Sequence, residues 1–158
     1  MCKTCLVERQ SEEVVGPLET PVYTIGVAAE ILGVHPRTLR IYEQKNLLLP
    51  ARRANWRYFS KRDLVWARGI RYLLHGVGMS VEGLQRALGS IPCWELLPCS
   101  KSERQSCSKA DNKRTPCWAV APRPDNKCYK CRVYQAAPAW LLEANELAAI
   151  ESFSNGTS

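Results

Sequence analysis

The chain has 158 residues and a formal net charge of +7, with 22 Lys or Arg against 15 Asp or Glu. Its 46% of hydrophobic and 23% of charged residues are typical of a folded protein and exclude wholesale disorder. No apolar run reaches the roughly 18 to 20 residues of a membrane helix, and the amino terminus lacks the apolar core of a signal peptide. We therefore expect a cytoplasmic protein with no membrane partner, in which closely spaced cysteines are metal ligands or redox groups.

Basic charge is concentrated in one stretch of the chain. Between His35 and Tyr72, ten Lys or Arg residues stand against two acidic residues. A focused basic excess attracts polyanions such as nucleic acid. A solvated face would show the same excess, but here the arginines also fall on a motif.

Two short helices with a tight corner are predicted within this basic region and just before it. Thr24, followed by apolar residues at helical spacing, predicts a first helix with a hydroxyl cap, which ends at Gly33. Pro36 at a first-turn position predicts a second helix that ends near Asn46. The short corner is typical of a helix-turn-helix, whose second helix enters the major groove of DNA.

A wing and two further helices are predicted next. The segment 51–59 has a polar centre and aromatic flanks, which indicates a β-hairpin. Ser60 and Asp63 form a capping box for a third helix, and Ser80 caps a fourth. The order helix, helix, wing, helix, helix predicts a winged helix-turn-helix.

Several motifs of this region resemble, in the same order, those of the MerR-type transcription regulators. They are Tyr23-Thr24-Ile25-Gly26, Gly33-Val34, Thr38-Leu39-Arg40-Ile41-Tyr42-Glu43, Asn46-Leu47-Leu48-Leu49-Pro50, Arg57-Tyr58 and Asp63-Leu64. The patterns around Arg37 and Trp56 resemble the HspR branch of that family in particular. The resemblance covers about residues 22–88 and implies a homodimer that binds an inverted-repeat operator in double-stranded promoter DNA, where RNA polymerase also acts.

The resemblance also implies which residues touch DNA. On the second helix, Arg37 and Thr38 would face base edges, and Arg40 and Tyr42 would contact backbone phosphates. Wing residues would grip the flanking backbone, or assist in doing so: Arg57, Tyr58, Arg52 and Arg53. Tyr42, Trp56 and Tyr58 could alternatively pack within the wing or the core.

The chain departs from the family after the fourth helix. MerR-type proteins usually continue with a long helix that pairs with its twin, but here Pro92 interrupts the pattern. The later helical pattern covers 139–151, with Pro138 at its start. We expect this short helix to mediate dimerisation, on the strength of the family resemblance alone.

A second chemical feature is a run of six cysteines with no histidine among them. The six are Cys93, Cys99, Cys107, Cys117, Cys128 and Cys131. An all-thiolate set suits an iron–sulfur cluster, zinc or Cu(I). The surrounding segment has few aliphatic residues, so a bound cofactor would supply folding energy. Its Cys-Trp pairs resemble the two-CW segments of some bacterial signalling proteins.

Four of these cysteines are the expected ligands. Cys93 and Cys117 each precede a tryptophan, and Cys128 and Cys131 form a Cys-x-x-Cys knuckle. Cys99 and Cys107 could replace either of the first two, and the knuckle of Cys2 and Cys5 could complete a second site. We favour an iron–sulfur cluster, with structural zinc and a metal-free thiol switch as alternatives. Trp94 and Trp118 would either pack this lobe or shield a cluster from water.

The sequence therefore predicts a mainly α protein in five parts. These are a tail with a Cys-x-x-Cys knuckle (1–21), a winged helix-turn-helix DNA-binding domain (22–90), a small irregular cysteine-rich lobe (91–137), a short C-terminal dimerisation helix (138–152) and a tail (153–158). The expected function is a dimeric regulator whose lobe senses redox, oxygen or metal status. One alternative is the same DNA-binding domain (22–90, the reader) with a purely structural four-cysteine zinc module for protein contacts. The other is a redox or metal-transfer protein. We expect no enzyme, since the sequence lacks a nucleophile elbow, a phosphate loop and paired catalytic carboxylates.

Overall fold

The computed structural model describes Leu18, residues 20–97, 99–120 and 128–143, Glu146 and Ala149. The knuckle of Cys2 and Cys5 lies outside the described residues. So does most of the chain beyond residue 143, including much of the expected dimerisation helix. Within the described ranges, no helix is both long enough and apolar enough to cross a bilayer.

The helix-turn-helix consists of α1 (Ile25–Leu32) and α2 (Pro36–Gln44). Gly33 ends α1 in the left-handed region, at a φ of 62°, and its N–H donates to the carbonyls of Ala29 and Glu30. The prediction of a hydroxyl cap at Thr24 is wrong, because that side chain makes no cap hydrogen bond. Thr24 instead has extended backbone and pairs with Tyr58 in a sheet.

The wing is a small antiparallel sheet of β1 (Tyr23–Thr24), β2 (Ala51–Arg53) and β3 (Trp56–Phe59), in the order β1-β3-β2. The predicted hairpin of β2 and β3 is confirmed, with Arg52 opposite Arg57. The strand β1, just before the first helix, completes the sheet and was not predicted. The wing is thereby hydrogen-bonded to the start of the helix-turn-helix.

Two further helices pack against the helix-turn-helix and the wing. The first, α3 (Lys61–Arg71), begins with the predicted capping box of Ser60 and Asp63, and a π-turn (Tyr72–Gly76) follows it. The second, α4 (Val81–Gly89), is capped by the hydroxyl of Ser80, which accepts from the N–H of Gly83 at 3.0 Å. These two helices confirm the winged helix-turn-helix order.

The cysteine-rich lobe is made of short helices. They are α5 (Cys93–Leu96), α6 (Lys101–Ser106), α7 (Ser108–Asp111), α8 (Cys117–Val120), a 3₁₀ turn (Cys128–Lys130) and α9 (Arg132–Leu141).

The helix α9 corrects the predicted start of the C-terminal helix. It begins at Arg132 and contains Pro138, whereas the sequence pattern placed Pro138 at the start. Its first turns carry Val133, Tyr134 and Ala137 on a fully buried face, which outweighs the signal of the proline. Pro138 lies inside the helix, where it lacks the N–H for an i to i−4 hydrogen bond, a local cost that burial of this face offsets.

One hydrophobic core joins the lobe to the reader. Leu47, Leu64 and Trp66 of the reader belong to the same buried cluster as Trp118 and Tyr134 of the lobe. Because burial of apolar surface is the main driving force of folding, this shared core fixes the position of the lobe against the reader.

Candidate functional site

The exposed face of α2 presents two arginines to solvent. Arg37 and Arg40 are three residues apart on that face, and Thr38 beside them is half-buried. Among the described residues, neither guanidinium has a hydrogen bond or an ion pair. Their donors are therefore available to fork onto a guanine edge or a phosphate.

Glu43, at the other end of α2, holds two arginines of the wing. Its Oε1 accepts from Nη2 of Arg52 at 2.6 Å, and its Oε2 accepts from Nε of Arg57. The side chains of Glu43 and Arg57 are only 16% and 24% exposed, while that of Arg52 is 49% exposed. The sequence reasoning missed Glu43, although its place on α2 opposite a basic wing was a usable signal. The carboxylate connects the wing to α2, the recognition helix of the helix-turn-helix.

The remaining predicted residues of the wing pack against each other. The guanidinium of Arg53 lies 5.0 Å from the ring centroid of Tyr58 and donates to the carbonyl of Pro21 at 3.3 Å. Trp56 is 70% exposed, next to the hairpin turn. Tyr58 thus supports Arg53, and Trp56 is left as an exposed aromatic on this face.

Tyr42 does not fit its predicted contact with backbone phosphates. Its side chain is 5% exposed and belongs to the core, and within the described structure its hydroxyl has no hydrogen-bond partner. Burial raises the pKa of Tyr42, and the nearby Arg71 lowers it in part. The structure thus favours the alternative of core packing, and Ile41 occupies the exposed position next to Arg40.

Two arginines of α3 clamp the end of α1. Arg68 donates to the carbonyl of Ile31 at 3.3 Å, and Arg71 donates to the carbonyl of Leu32 at 3.4 Å. Carbonyls in the last turn of a helix lack partners within it, and cations are favoured there. Part of the basic charge near α3 therefore serves the fold instead of a ligand.

Cys117 is the most perturbed thiol described in the lobe. Burial raises the pKa of the Cys117 thiol well above its usual value, and the neighbouring Cys131, Cys93 and Cys128 raise it further. These are the four cysteines expected as ligands. In the described ranges, no group of three or more His, Cys, Asp or Glu side chains is arranged to hold a single metal ion.

Two of the expected cysteines also line a cavity with the two reserve cysteines. Cys93, Cys117, Cys99 and Cys107 border an apolar space of about 290 Å³, together with Trp94. Trp94 therefore lies beside the thiols that border this cavity. Trp118, in contrast, is buried against the reader, and its Nε1 donates to the carbonyl of Asn46 at 2.8 Å.

Lys109 is a buried cation beside these thiols. Its Nζ donates to the carbonyls of Gly89, Asn112 and Thr115 at 2.5, 2.7 and 2.8 Å. Burial lowers the pKa of Lys109, and the nearby Cys117, Cys93 and Cys107 raise it. A lysine in a polar stretch gives no sequence signal of burial, so this residue was not predicted. The three carbonyl oxygens stabilise the ammonium group in this position, because a buried charge is costly unless it is hydrogen-bonded or paired.

Comparisons with known proteins identify the first half of the chain. Residues 23–91 match the family described as MerR HTH family regulatory protein. These residues form a MerR-family helix-turn-helix domain. A Streptomyces coelicolor protein that bears the name heat shock protein HspR is 39% identical over 71 residues, which are 44% of this chain and 47% of that protein. No solved structure matches the chain.

The family match does not extend into the cysteine-rich lobe. The MerR-family domain contains α2, the wing and the α3 arginines, and it stops at Ile91. All six cysteines of the lobe lie beyond it. The chain spans about half the length of its curated relative, so the chemistry of the lobe has to be argued from its own residues.

Proposed function

We propose that this chain is a MerR-type transcription regulator that binds an inverted-repeat operator in double-stranded promoter DNA as a homodimer. The observation that carries the proposal is the α2 face on which Arg37 and Arg40 are unpaired among the described residues. The wing stands beside that face, held by Glu43. Helix and wing together offer base-edge and phosphate contacts, and RNA polymerase is the expected partner at the promoter.

We further propose that the lobe holds a thiolate-ligated iron–sulfur cluster or metal ion and reports redox, oxygen or metal status. The electrostatic coupling of Cys93, Cys128 and Cys131 to Cys117 supports this, together with the buried ammonium of Lys109 beside them. A bound cluster would supply a redox-sensitive charge at this place. The protein's own contribution would be four sulfurs, a counter-charge and an apolar surrounding.

DNA binding is tested with the full chain. Operators selected from random duplex DNA should bind at nanomolar concentration, with an affinity that falls steeply with salt. Arg40→Ala should weaken binding at least about tenfold and lower the salt slope by about 1. Lys101→Ala, which removes an exposed positive charge from the lobe, is the matched control. Equal effects of the two variants, or a salt-independent affinity, would refute the assignment.

The nature of the lobe is tested by purification without oxygen. A brown protein with iron and sulfide that bleaches in air supports a sensor, whereas a colourless protein with one zinc per chain supports the structural zinc module. Cys128→Ser should abolish metal retention, and Cys99→Ser should preserve it. The reverse result would move the ligand set to the four cysteines that line the cavity.

A further inference from the structure

Two side chains of the lobe reach the segment that follows the recognition helix. The Nε1 of Trp118 donates to the carbonyl of Asn46 at 2.8 Å. The backbone N–H of Leu49 donates to the hydroxyl of Tyr134 at 3.0 Å. The lobe therefore holds residues 46–49 at both ends.

The segment 46–49 is in turn bound to α2. Asn46 has left-handed backbone with a φ of 57°, and the N–H groups of Leu47 and Leu48 donate to the carbonyl of Tyr42 at 2.9 and 3.3 Å. Both leucines are fully buried. A displacement of this segment must therefore be transmitted to the end of α2, because close-packed interiors deform little.

Tyr134 also reaches the end of the wing. Its hydroxyl donates to Oδ1 of Asp63 at 3.1 Å, while Asp63 accepts from the N–H of Ser60, directly after β3. One hydroxyl group thus connects the recognition helix, the wing and α3. The rings of Trp118 and Tyr134 meet edge to face at 5.3 Å, so the two side chains form one unit.

The same unit is attached to the thiols. Trp118 directly follows Cys117 on α8, and Cys131 is the residue at the start of α9, the helix that carries Tyr134. The N–H of Gln135 donates to the carbonyl of Cys131 at 3.0 Å. At most one helical turn separates each of these two sulfurs from its aromatic ring. A change that moves the sulfurs therefore also moves the rings.

We infer that Trp118 and Tyr134 are positioning residues that set the recognition helix relative to the wing according to the state of the thiols. The inference rests on the proposed DNA binding and adds to it the route by which the lobe acts. Each hydrogen bond satisfies a partly buried backbone group, which loses its partner when the side-chain group is removed, so the loss favours a displaced segment. The fraction of chains in the conformation that binds DNA then falls, and the apparent affinity for DNA falls with it.

The first test uses the full chain and two conservative variants. Tyr134→Phe keeps the ring and removes only the hydroxyl, and Trp118→Phe replaces the indole with a smaller aromatic ring that has no N–H donor. Each should weaken binding to the selected operator about tenfold while the circular dichroism spectrum is preserved. The controls are Trp140→Phe and Tyr72→Phe at exposed positions, which should stay within about twofold. Variants that bind like the controls would overturn the inference.

The second test asks whether the thiols act through this unit. In a chain with Cys2→Ser and Cys5→Ser, alkylation with N-ethylmaleimide should speed hydrogen exchange of the Leu47, Leu48 and Leu49 amides and weaken operator binding. In the Trp118→Phe/Tyr134→Phe double variant the affinity ratio between alkylated and untreated protein should approach one. A ratio equal to that of the parent chain would overturn the inference.

The two proposals fail in different ways. If the parent chain binds no DNA, the proposed function fails. The exchange experiment then still decides the inference, because it requires no DNA. Unchanged exchange of the three leucine amides after alkylation would show that the thiols do not act on this segment.

Discussion

The carboxylate of Glu43 on the recognition helix accepts a hydrogen bond from Nε of Arg57 in the wing. The two groups are mostly shielded from solvent, with side chains 16% and 24% exposed. The pair fixes the distance between the two elements that are proposed to contact DNA. Its strength can be separated from that of the neighbouring pair of Glu43 and Arg52.

Double-mutant cycles should rank these two ion pairs. Glu43→Gln combined with Arg57→Met should give a coupling energy of about 1 to 2 kcal/mol, because the pair is partly buried. The cycle with Arg52→Met should give about 0 to 1 kcal/mol, since Arg52 is half exposed and screened by water. Urea unfolding measures all four corners of each cycle. A larger coupling for Arg52 would show that burial does not determine the strength of this clamp.

Asp63 should make stability depend on pH. Burial raises the pKa of its carboxyl from 3.8 to about 6, although hydrogen bonds from Ser60 and Tyr134 act in the opposite direction. The folded state then binds the proton more tightly than the unfolded state, so stability falls as the pH rises through the window from 3.8 to about 6. The loss is on the order of 3 kcal/mol, at about 1.4 kcal/mol for each pKa unit.

The variant Asp63→Asn isolates this effect. The difference in unfolding free energy between parent and variant should shift by most of that amount between pH 4 and pH 7, in the direction that favours the parent in acid. Denaturant titrations at several pH values measure the difference. Parallel curves for the two proteins would contradict the raised pKa.

Removal of the Tyr42 hydroxyl should be harmless. The group is buried and has no hydrogen-bond partner among the described residues, so Tyr42→Phe removes an unsatisfied polar atom and should leave the unfolding free energy unchanged or up to about 1 kcal/mol higher. Operator affinity should stay within about twofold of the parent value, unlike that of Arg40→Ala. A tenfold loss of affinity would restore the phosphate contact first expected for this tyrosine.

A glycine on α4 allows the close approach of the lobe. A Cβ added at Gly89 would lie 2.6 Å from the carbonyl oxygen of Lys113 and 2.7 Å from the backbone nitrogen of Thr115. Gly89→Ala should therefore destabilise the protein by about 1 to 3 kcal/mol, or more if the backbone cannot shift. Gly26→Ala, with nothing within 4 Å of the added atom, should instead stabilise α1 by up to about 1 kcal/mol. Thermal unfolding of both variants tests the pair.

The reader was predictable because its signals are local. Gly33, Pro36 and the capping box of Ser60 and Asp63 fix helix ends through their own backbone chemistry, and each was found where the pattern placed it. The start of α9 was missed because its buried face is determined by the reader, which is distant in sequence. The sequence left two roles open for Tyr42 for a related reason, since a motif identifies a helix but only packing shows which side faces the core.

The six cysteines of the lobe are evident from the sequence, but their surroundings are not. Spacing and neighbouring tryptophans selected the cysteines around Cys117, and the choice of ligands and cofactor stays a prediction. Lys109 could not be found, because its burial depends on carbonyls contributed by Gly89 and Thr115 across the chain. Nor could the contact of Trp118 with Asn46, 72 residues away.

The shared core has a consequence for protein engineering. Many regulators are treated as a DNA-binding cassette to which any sensor can be fused. Here Trp118 and Tyr134 of the lobe are part of the hydrophobic core of the reader. A reader without the lobe would expose the apolar surface that these two side chains cover. A chimera that joins the reader to a different partner domain would therefore have to retain Trp118 and Tyr134 together with the helices α8 and α9 that position them.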